Sequence, residues 1–416
     1  MAYESALMTI AIENLPGVVD RVFRRTAVTD VHTHIYDPAL GPLLLWGIDE
    51  LLTYHYLVAE VLRARPDIGY DEFWAMEKSR QADLIWSELF VKRSPLSEAC
   101  RGVVTVLKKL GLDPNAADLA PYRSYFRQQN ARDYVNRVFE LANVGKVYMT
   151  NDPLDPLEGP TWKRGFDRDP RFLGVLRLDS AIMKWPEPVA RLQALGYEVD
   201  DSLSGRTLAE VRRYLQDWCS ILGAHYMAIS LPPTFRYPDP FSSVTTLITK
   251  AVLPVARERN IPAAMMIGVK KLANPALRLA GDSVGKAEIE TVERLALDFD
   301  GNRFLITMLS RENMHELCIA ARKFKNILPF GCWWFLNNPS LIREITLMRL
   351  ETLGLSFIPQ HSDARILDQL IYKWDHSRTV IGEALATKYA DLVRASRRVT
   401  EDDIRRDIHM LFNREL

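Results

Sequence analysis

His32 and His34 form a His-x-His pair, the residue types and spacing that most directly suggest a metal site in this sequence. The pair ends an apolar run, Thr29-Asp-Val-His32-Thr-His34, that has the composition of a β-strand. Because alternate side chains of a strand point to the same face, both imidazoles could reach one ion. Asp363 follows a second apolar run, residues 355–360, and could add an oxygen ligand. A single His-x-His pair is weak evidence by itself, so the prediction depends on the fold bringing the two runs together.

The elements that would position these residues alternate between short β-rich runs and stretches of helical length, which indicates βα units and a parallel sheet. The runs predicted as strands are residues 27–34, 144–149, 172–178, 225–231, 263–268, 304–309, 327–332 and 355–360. Residues 41–142 read as helix throughout and interrupt this alternation. We therefore predict a (β/α)8 barrel. Residues 1–40 would hold the N-terminal segment and first strand, 41–142 a helical insertion, and 143–416 the rest of the barrel and the C-terminal helices.

The ends of the other predicted strands limit what kind of metal site is possible, because a barrel carries its active site at the carboxyl ends of its strands. The fourth strand ends in Leu231-Pro-Pro, without a lysine that could bridge two metals as a carbamate. The fifth ends in Met265-Met266-Ile-Gly268 and the sixth in Met308-Leu-Ser310, and neither contains a histidine. The site is therefore predicted to be mononuclear, with open positions for substrate or water, as a catalytic zinc requires.

Three further groups of residues are candidates for substrate contacts. The predicted insertion contains Tyr54-His55-Tyr56; we expect Tyr54 to pack in the apolar stripe, and His55 and Tyr56 to be free to face the barrel mouth. Arg177 precedes Asp179 at the end of the third strand and could pair with it or hold an anionic substrate. Trp333-Trp334 ends the seventh strand, where we expect one ring in the core and one in a wall that excludes water.

Composition excludes several other functions. The 416 residues contain 53 Lys plus Arg and 53 Asp plus Glu, so the chain lacks the basic surplus of a nucleic-acid-binding protein. We find no apolar run long enough to span a membrane and no secretory signal, so no membrane partner is expected. The four cysteines are scattered, which suits a reducing cytoplasm. A large barrel with an extended insertion and no net charge favours a homo-oligomer.

The order of these motifs resembles the uronate isomerases (glucuronate isomerases) of the amidohydrolase superfamily. The family-like segments are Asp30-Val-His32-Thr-His34, Leu52-Thr-Tyr-His55-Tyr56, Thr150-Asn-Asp152-Pro153, Leu176-Arg177-Leu-Asp179 and Ser362-Asp363-Ala-Arg365. The resemblance implies one divalent metal ion, most simply Zn²⁺, held by His32, His34 and Asp363. It also implies substrate contacts from Tyr56, Arg177 and Arg365, with His55 beside them and Trp333 and Trp334 lining the pocket. One departure is Met266, where the main branch of the family has a histidine, which places this chain in a divergent subgroup.

The activity implied by the resemblance is the interconversion of D-glucuronate with D-fructuronate and of D-galacturonate with D-tagaturonate. This reaction removes a proton from C2, passes through an enediolate and returns a proton at C1. We expect Asp363 and Tyr56 to share the proton transfer, with Arg365 lowering the pKa of the tyrosine. Two alternatives remain open. One is a mononuclear hydrolase of the same superfamily that acts on a sugar-acid lactone or ester, and the other is a barrel that binds uronates without turnover.

Overall fold

The protein is a mixed α/β structure whose computed structural model describes residues 9–414 and 416. Its strands are β1 (Val28–Thr33), β2 (Val144–Asn151), β3 (Phe172–Arg177), β4 (Met227–Leu231), β5 (Ala263–Ile267), β6 (Val269–Lys270), β7 (Ser283–Val284), β8 (Phe304–Met308) and β9 (Ile327–Pro329). Seven of them form one parallel sheet in the order β1-β2-β3-β4-β5-β8-β9, and β6 pairs with β7 in a small antiparallel hairpin. Strands such as β5 are buried along their whole length, as expected for a parallel sheet covered on both faces.

The prediction of a regular eighth strand at residues 355–360 is wrong, because only one parallel bridge, between Phe330 and Ile358, is present there. Ile358 donates its N–H to Pro329 and accepts from Gly331, both at 2.9 Å. Pro359 follows at once and has no N–H to continue such a ladder.

Beyond Pro359 the chain still reaches β1 and joins the two edges of the sheet. The N–H of Asp363 donates to the carbonyl of His32 at 3.1 Å, and the N–H of His34 donates to that of Ala364 at 2.7 Å. Asp363 has a φ of +50°, so the backbone turns out of the extended conformation at that residue. The curled seven-stranded parallel sheet is consistent with a TIM-like fold.

Helices precede the sheet, fill the connection between β1 and β2, and follow most of the later strands. The α-helices up to β2 are Leu15–Arg25, Ile48–Leu52, His55–Ala64, Tyr70–Ala75, Lys78–Trp86, Glu98–Lys109, Ala120–Arg127 and Ala131–Ala142. Those after β2 are Glu158–Arg164, Asp179–Ile182, Val189–Ala194, Gly205–Leu222, Ser243–Leu247, Leu253–Glu258, Ile289–Asp298, Met314–Lys323, Pro339–Leu353, Gln369–Arg394 and Glu401–Phe412. None of the helices in the described part of the chain combines the length and apolar composition needed to cross a lipid bilayer.

The apolar core is divided by the sheet. A large cluster lies between the sheet and the helices. A smaller cluster draws residues from nearly every strand, including Val31 of β1, Tyr148 of β2, Val175 of β3 and Met266 of β5. Because side chains alternate across a strand, these residues share the inner face of the curled sheet. The inner cluster therefore packs directly beneath a site at the carboxyl ends of the strands.

Candidate metal and substrate site

Three potential metal ligands meet at the junction between β1 and the segment that follows the Ile358 bridge. The Oδ1 atom of Asp363 lies 3.5 Å from Nε2 of His32 and 3.4 Å from Nε2 of His34. One ligand atom from each of the three residues lies within 4.8 Å of the other two. The carboxylate and His32 are buried, and His34 is half-buried. The structure thus brings together one residue of β1, one that directly follows this strand and one from more than 300 positions later.

The tautomer of His34 follows from its neighbour Thr150. The hydroxyl of Thr150 donates its only proton to the carbonyl of Thr33 at 3.0 Å. It therefore accepts the hydrogen bond that joins it to Nδ1 of His34 at 2.6 Å. With its proton on Nδ1, the imidazole has a free lone pair on Nε2, the atom that faces Asp363. Burial lowers the pKa of His34 to about 3, so the ring is neutral near neutral pH.

The same reasoning applies to His32. The hydroxyl of Tyr226 donates to the carbonyl of Val31 at 2.7 Å, so it accepts from Nδ1 of His32, which lies 3.2 Å away. The Nε2 atom of His32 is again left with a lone pair toward Asp363. Partners on the far ring nitrogen commonly fix the orientation of metal-binding histidines in this way.

The three groups fit a divalent cation. Two nitrogen lone pairs and a carboxylate oxygen point at one another, and Oδ1 of Asp363 is buried without a hydrogen-bond partner among the described residues. A buried acceptor left unpaired costs free energy, and a bound cation satisfies all three acceptors at once. Two histidines and one carboxylate are also a ligand set that zinc accepts.

A cavity of about 90 Å³ opens beside these ligands at the carboxyl ends of the strands. Eight of the nine residues predicted for the site line it, namely His32, His34, His55, Arg177, Trp333, Trp334, Asp363 and Arg365. Tyr56 is the ninth and is not part of the wall. Side chains that the sequence analysis did not assign to the site complete the wall, among them Tyr54, Thr150, Lys271 and Asp282.

Tyr54 corrects one expectation, because it lines the cavity as well as packing against the core. The helix begins at His55, and Tyr54 precedes it in an extended conformation with φ of −68° and ψ of 146°. A residue outside the helix does not follow the helical period, so the apolar stripe predicts the core packing of Tyr54 but not its place on the cavity wall. Burial raises the pKa of Tyr54, the charge of Asp363 raises it further, and Arg365 lowers it only in part.

Tyr56 is half-buried on the first turn of the helix, and its ring centroid lies 4.3 Å from that of His55, which lines the cavity. The prediction that Arg365 lowers its pKa is wrong. Burial raises the pKa of Tyr56 well above its ordinary value, and Tyr54, Asp363 and Tyr372 add to the effect. The Tyr56 side chain is therefore a neutral phenol within electrostatic range of the Asp363 carboxylate.

His55 presents a neutral imidazole to the cavity. Burial lowers its pKa to about 3, and its Nε2 atom is buried without a hydrogen-bond partner among the described residues. Its ring lies 5.4 Å from that of Trp334, which forms part of the same wall. An unpaired polar atom on a cavity wall is suited to a hydrogen bond with a bound ligand.

The two arginines of the cavity differ in their partners. Arg177 pairs with Asp179, with Nε and Oδ2 3.3 Å apart, and this carboxylate raises the pKa of the guanidinium. The guanidinium of Arg365 makes no hydrogen bond or ion pair with any residue in the described part of the chain. Pairing with Asp179, one of the two alternatives left by the sequence, is therefore confirmed for Arg177, which also lines the cavity. Arg365 brings an uncompensated positive charge that favours an anionic ligand.

Solved structures of other proteins share this architecture. The chain is 52% identical to a uronate isomerase from Bacillus halodurans C-125, over 98% of this chain and 96% of that one, with a TM-score of 0.95. A uronate isomerase from Thermotoga maritima and a glucuronate isomerase from Caulobacter crescentus share the fold, each with a TM-score of 0.76, at 15% and 13% identity. Their alignments cover 97% and 99% of this chain, and 98% and 95% of the respective partner chains. No family model and no curated protein matches the chain. At 52% identity over nearly the full length of both chains, the chain belongs to the uronate isomerase family of aldose–ketose isomerases.

Proposed function

We propose that the protein is a zinc-dependent isomerase that interconverts D-glucuronate with D-fructuronate and D-galacturonate with D-tagaturonate. The observation that carries the proposal is the convergence of His32, His34 and Asp363 on one point of a cavity in which Arg365 is left without a counter-charge. A metal centre beside an uncompensated cation suits a substrate that carries both a carbonyl and a carboxylate.

The reaction defines what the site must supply. An open-chain hexuronate has an aldehyde at C1, a hydroxyl at C2 and a carboxylate at C6. Isomerisation moves a proton from C2 to C1 and another between the two oxygens, so a base, an acid and a cation are required. The chemistry that a zinc ion contributes when held by His32, His34 and Asp363 is polarisation of the substrate's oxygens and stabilisation of developing negative charge.

We assign the proton transfers to Asp363 and Tyr56. The carboxylate of Asp363 accepts the C2 proton while the Tyr56 hydroxyl protonates the C1 oxygen, which gives the enediol. The C2 hydroxyl then returns a proton to the Tyr56 oxygen as the C2 carbonyl forms, and Asp363 delivers its proton to C1. The neutral state of Tyr56 and its position within range of the Asp363 charge support this division into acid and base.

The remaining side chains of the cavity hold the substrate. Arg365 binds the carboxylate, because its guanidinium has no competing partner among the described residues. Arg177 and the unpaired Nε2 of His55 bind hydroxyl or carbonyl oxygens. The rings of Trp333 and Trp334 form the wall that keeps water from the enediol.

The finer description of the fold and its setting is also proposed. We interpret residues 143–416, with the first strand from residues 1–40, as a (β/α)8 barrel and residues 41–142 as an insertion into it. The hydrogen bonds that tie Asp363 and Ala364 to β1 support closure of the barrel. The four cysteines are buried free thiols, which supports a reducing cytoplasm. Exposed apolar side chains such as Phe241 and Leu96 support a homo-oligomer.

Proton NMR in deuterated buffer tests the function. The zinc-supplemented protein is incubated with D-glucuronate and, separately, with D-galacturonate. The expected result is a ketose from each sugar, with deuterium at C1 to the extent that the proton on Asp363 exchanges with solvent. Absence of a ketose from both sugars, with zinc bound, would exclude the isomerase and direct attention to hydrolysis of sugar-acid lactones.

A further inference from the structure

The cavity wall formed by β4 and β5 is largely apolar. Ala228 and Ile229 of β4 and Met266 of β5 line it. None of these three side chains can donate or accept a strong hydrogen bond, whereas a hexuronate carries hydroxyls along its chain. Ser230 of β4 also lines the cavity and brings one hydroxyl, so further polar groups for this part of the substrate must come from elements that reach over the ends of these strands.

The β6–β7 hairpin, which directly follows β5, supplies such groups. Lys270 pairs with Ser283 across the hairpin, so the next residues on each side, Lys271 and Asp282, lie opposite each other. Nζ of Lys271 lies 2.7 Å from Oδ2 of Asp282, and Oδ1 of Asp282 accepts the N–H of Leu272 at 2.8 Å. Both Lys271 and Asp282 line the cavity.

The lysine is directed to the cavity wall by a second contact. Its Nζ atom lies 5.4 Å from the ring centroid of Trp334, which lines the cavity. Its charge also acts on His55, another residue of the wall. The Asp282 side chain is only 2% exposed, whereas that of Lys271 is 58% exposed. The buried carboxylate thus anchors an ammonium group that remains accessible from the cavity.

The charges of the cavity determine what such a pair can bind. Arg365 is the cation without a counter-charge and is therefore the partner for the substrate carboxylate. The charge of Lys271 is already balanced by Asp282, so the pair has little net attraction for a second anion. It offers ammonium donors next to carboxylate acceptors, which together match a hydroxyl that both accepts and donates.

We propose that Lys271 and Asp282 form a subsite for the hydroxyls of the uronate chain that lie away from the reacting carbons. D-glucuronate and D-galacturonate differ only in the configuration of one such hydroxyl, at C4. The pair therefore sets the preference of the enzyme between these two substrates. This inference rests on the proposed function and adds a specificity determinant to it.

Steady-state kinetics of Lys271→Met and Lys271→Arg test the subsite with both uronates. In Lys271→Met we expect KM to rise at least tenfold with kcat within threefold of wild type, because binding is lost equally in the ground and transition states. The ratio of kcat/KM for the two epimers should change at least threefold. Lys271→Arg keeps the charge and donors and should hold KM within threefold. Lys286→Met removes a lysine that pairs with Glu316 at 3.2 Å outside the cavity, and should behave as wild type.

Calorimetric titration with D-glucarate gives a readout that does not require turnover, since this diacid has the hydroxyls but no aldehyde. Zinc-loaded Lys271→Met should bind it at least tenfold more weakly than the wild type and Lys286→Met. Unchanged KM and unchanged glucarate affinity in Lys271→Met would overturn the subsite, as would a loss of kcat at constant KM. If the wild type converts neither uronate, the proposed function fails, while the titration still decides whether Lys271 contacts a sugar acid.

Discussion

Asp30 Oδ1 accepts the backbone N–H of Ser362 at 3.0 Å, although the two residues are 332 positions apart. Its other oxygen accepts the indole N–H of Trp374 at 2.8 Å. Ser362 immediately precedes Asp363, and Asp30 lies two residues before His32 on β1. This buried carboxylate therefore joins the two segments that carry the proposed metal ligands and fixes their separation.

Replacement of Asp30 by Asn should weaken both the fold and the metal site. One amide oxygen can still accept from Ser362, but the amide nitrogen then faces the Trp374 donor. The buried mismatch should lower the free energy of unfolding by about 2 kcal/mol. Zinc affinity should fall roughly 10- to 100-fold, as for other groups that support metal ligands.

Denaturant unfolding and zinc titration against a chelator measure the two effects. The control Asp20→Asn changes an exposed partner of Arg24, and equal losses in both variants would contradict this role for Asp30.

His34→Ala tests the metal centre directly. The wild type, freed of metal by a chelator, should gain thermal stability when zinc is added, since a ligand at 100 times its Kd stabilises the folded state by about 2.7 kcal/mol. His34→Ala loses one of three ligands and should show little or no rise in Tm under the same conditions. His315, which is exposed on the helix Met314–Lys323, provides the matched variant His315→Ala with a normal response. A full zinc response in His34→Ala would remove this residue from the metal site.

Thr150→Val separates the role of the neighbouring hydroxyl from that of the ligand itself. Valine has nearly the same shape, but it cannot accept the Nδ1 proton of His34. The preference for a lone pair on Nε2 is then lost, and zinc affinity should fall roughly 10-fold or more. Thr379→Val is the control, because that exposed hydroxyl donates only to a carbonyl of its own helix. The affinities come from competition with a chromogenic chelator, and identical values for both variants would contradict the assignment.

The convergence of His32, His34 and Asp363 could be predicted from sequence because it depends on simple rules of strand geometry. His32 lies on β1 and His34 directly follows this strand, so the two-residue period of extended backbone predicts that both rings point to one side. Parallel strands also end on one side of a sheet. Residues 355–360 were harder to interpret, since an apolar run does not reveal that Pro359 and the left-handed Asp363 reduce it to a bridge. A hydrophobic pattern indicates that a segment is buried, but it does not show how many backbone hydrogen bonds the segment makes.

The positions of the other cavity side chains could not be predicted, because they depend on geometry that the local sequence does not encode. The helical period includes Tyr54 in an apolar stripe, because the sequence does not show that the helix begins only at His55. Lys271 and Asp282 lie next to strands of two residues each, too short to produce a period, and face each other across an eleven-residue separation. Their role follows only from the hairpin's position over the end of β5.

The variants Tyr56→Phe and Tyr54→Phe distinguish the roles of the two tyrosines whose pKa values the Asp363 charge raises. If Tyr56 supplies a proton to the substrate, its loss should lower kcat by a factor of about 10²–10⁴ without changing the zinc content. Tyr54→Phe keeps the aromatic wall and should retain kcat within about tenfold, an amount typical of a lost binding contact. Kinetics with D-glucuronate and metal analysis of both variants give the answer. Full activity in Tyr56→Phe, or a larger loss in Tyr54→Phe, would move the proton-transfer role away from Tyr56.

Glu158 should make the stability of the protein fall with rising pH. The side chain is buried and accepts hydrogen bonds from Asn151, Asp152 and Trp162. Burial raises its pKa from 4.5 to about 7 despite these bonds. Between these values the unfolded chain loses the proton and the folded protein keeps it, so its contribution is complete below pH 4.5 and is lost as pH rises through 7.

The variant Glu158→Gln, which has no proton to lose, isolates this effect. The free energy of unfolding of the wild type minus that of Glu158→Gln should decrease by about 3 kcal/mol between pH 4.5 and pH 8. Denaturant unfolding at several pH values measures the difference. Glu187→Gln alters an exposed carboxylate near Lys184 and should give a difference that barely depends on pH. If the Glu158→Gln curve runs parallel to the wild type, the carboxyl is already ionised in the folded protein, and its three donors rather than its burial determine its charge.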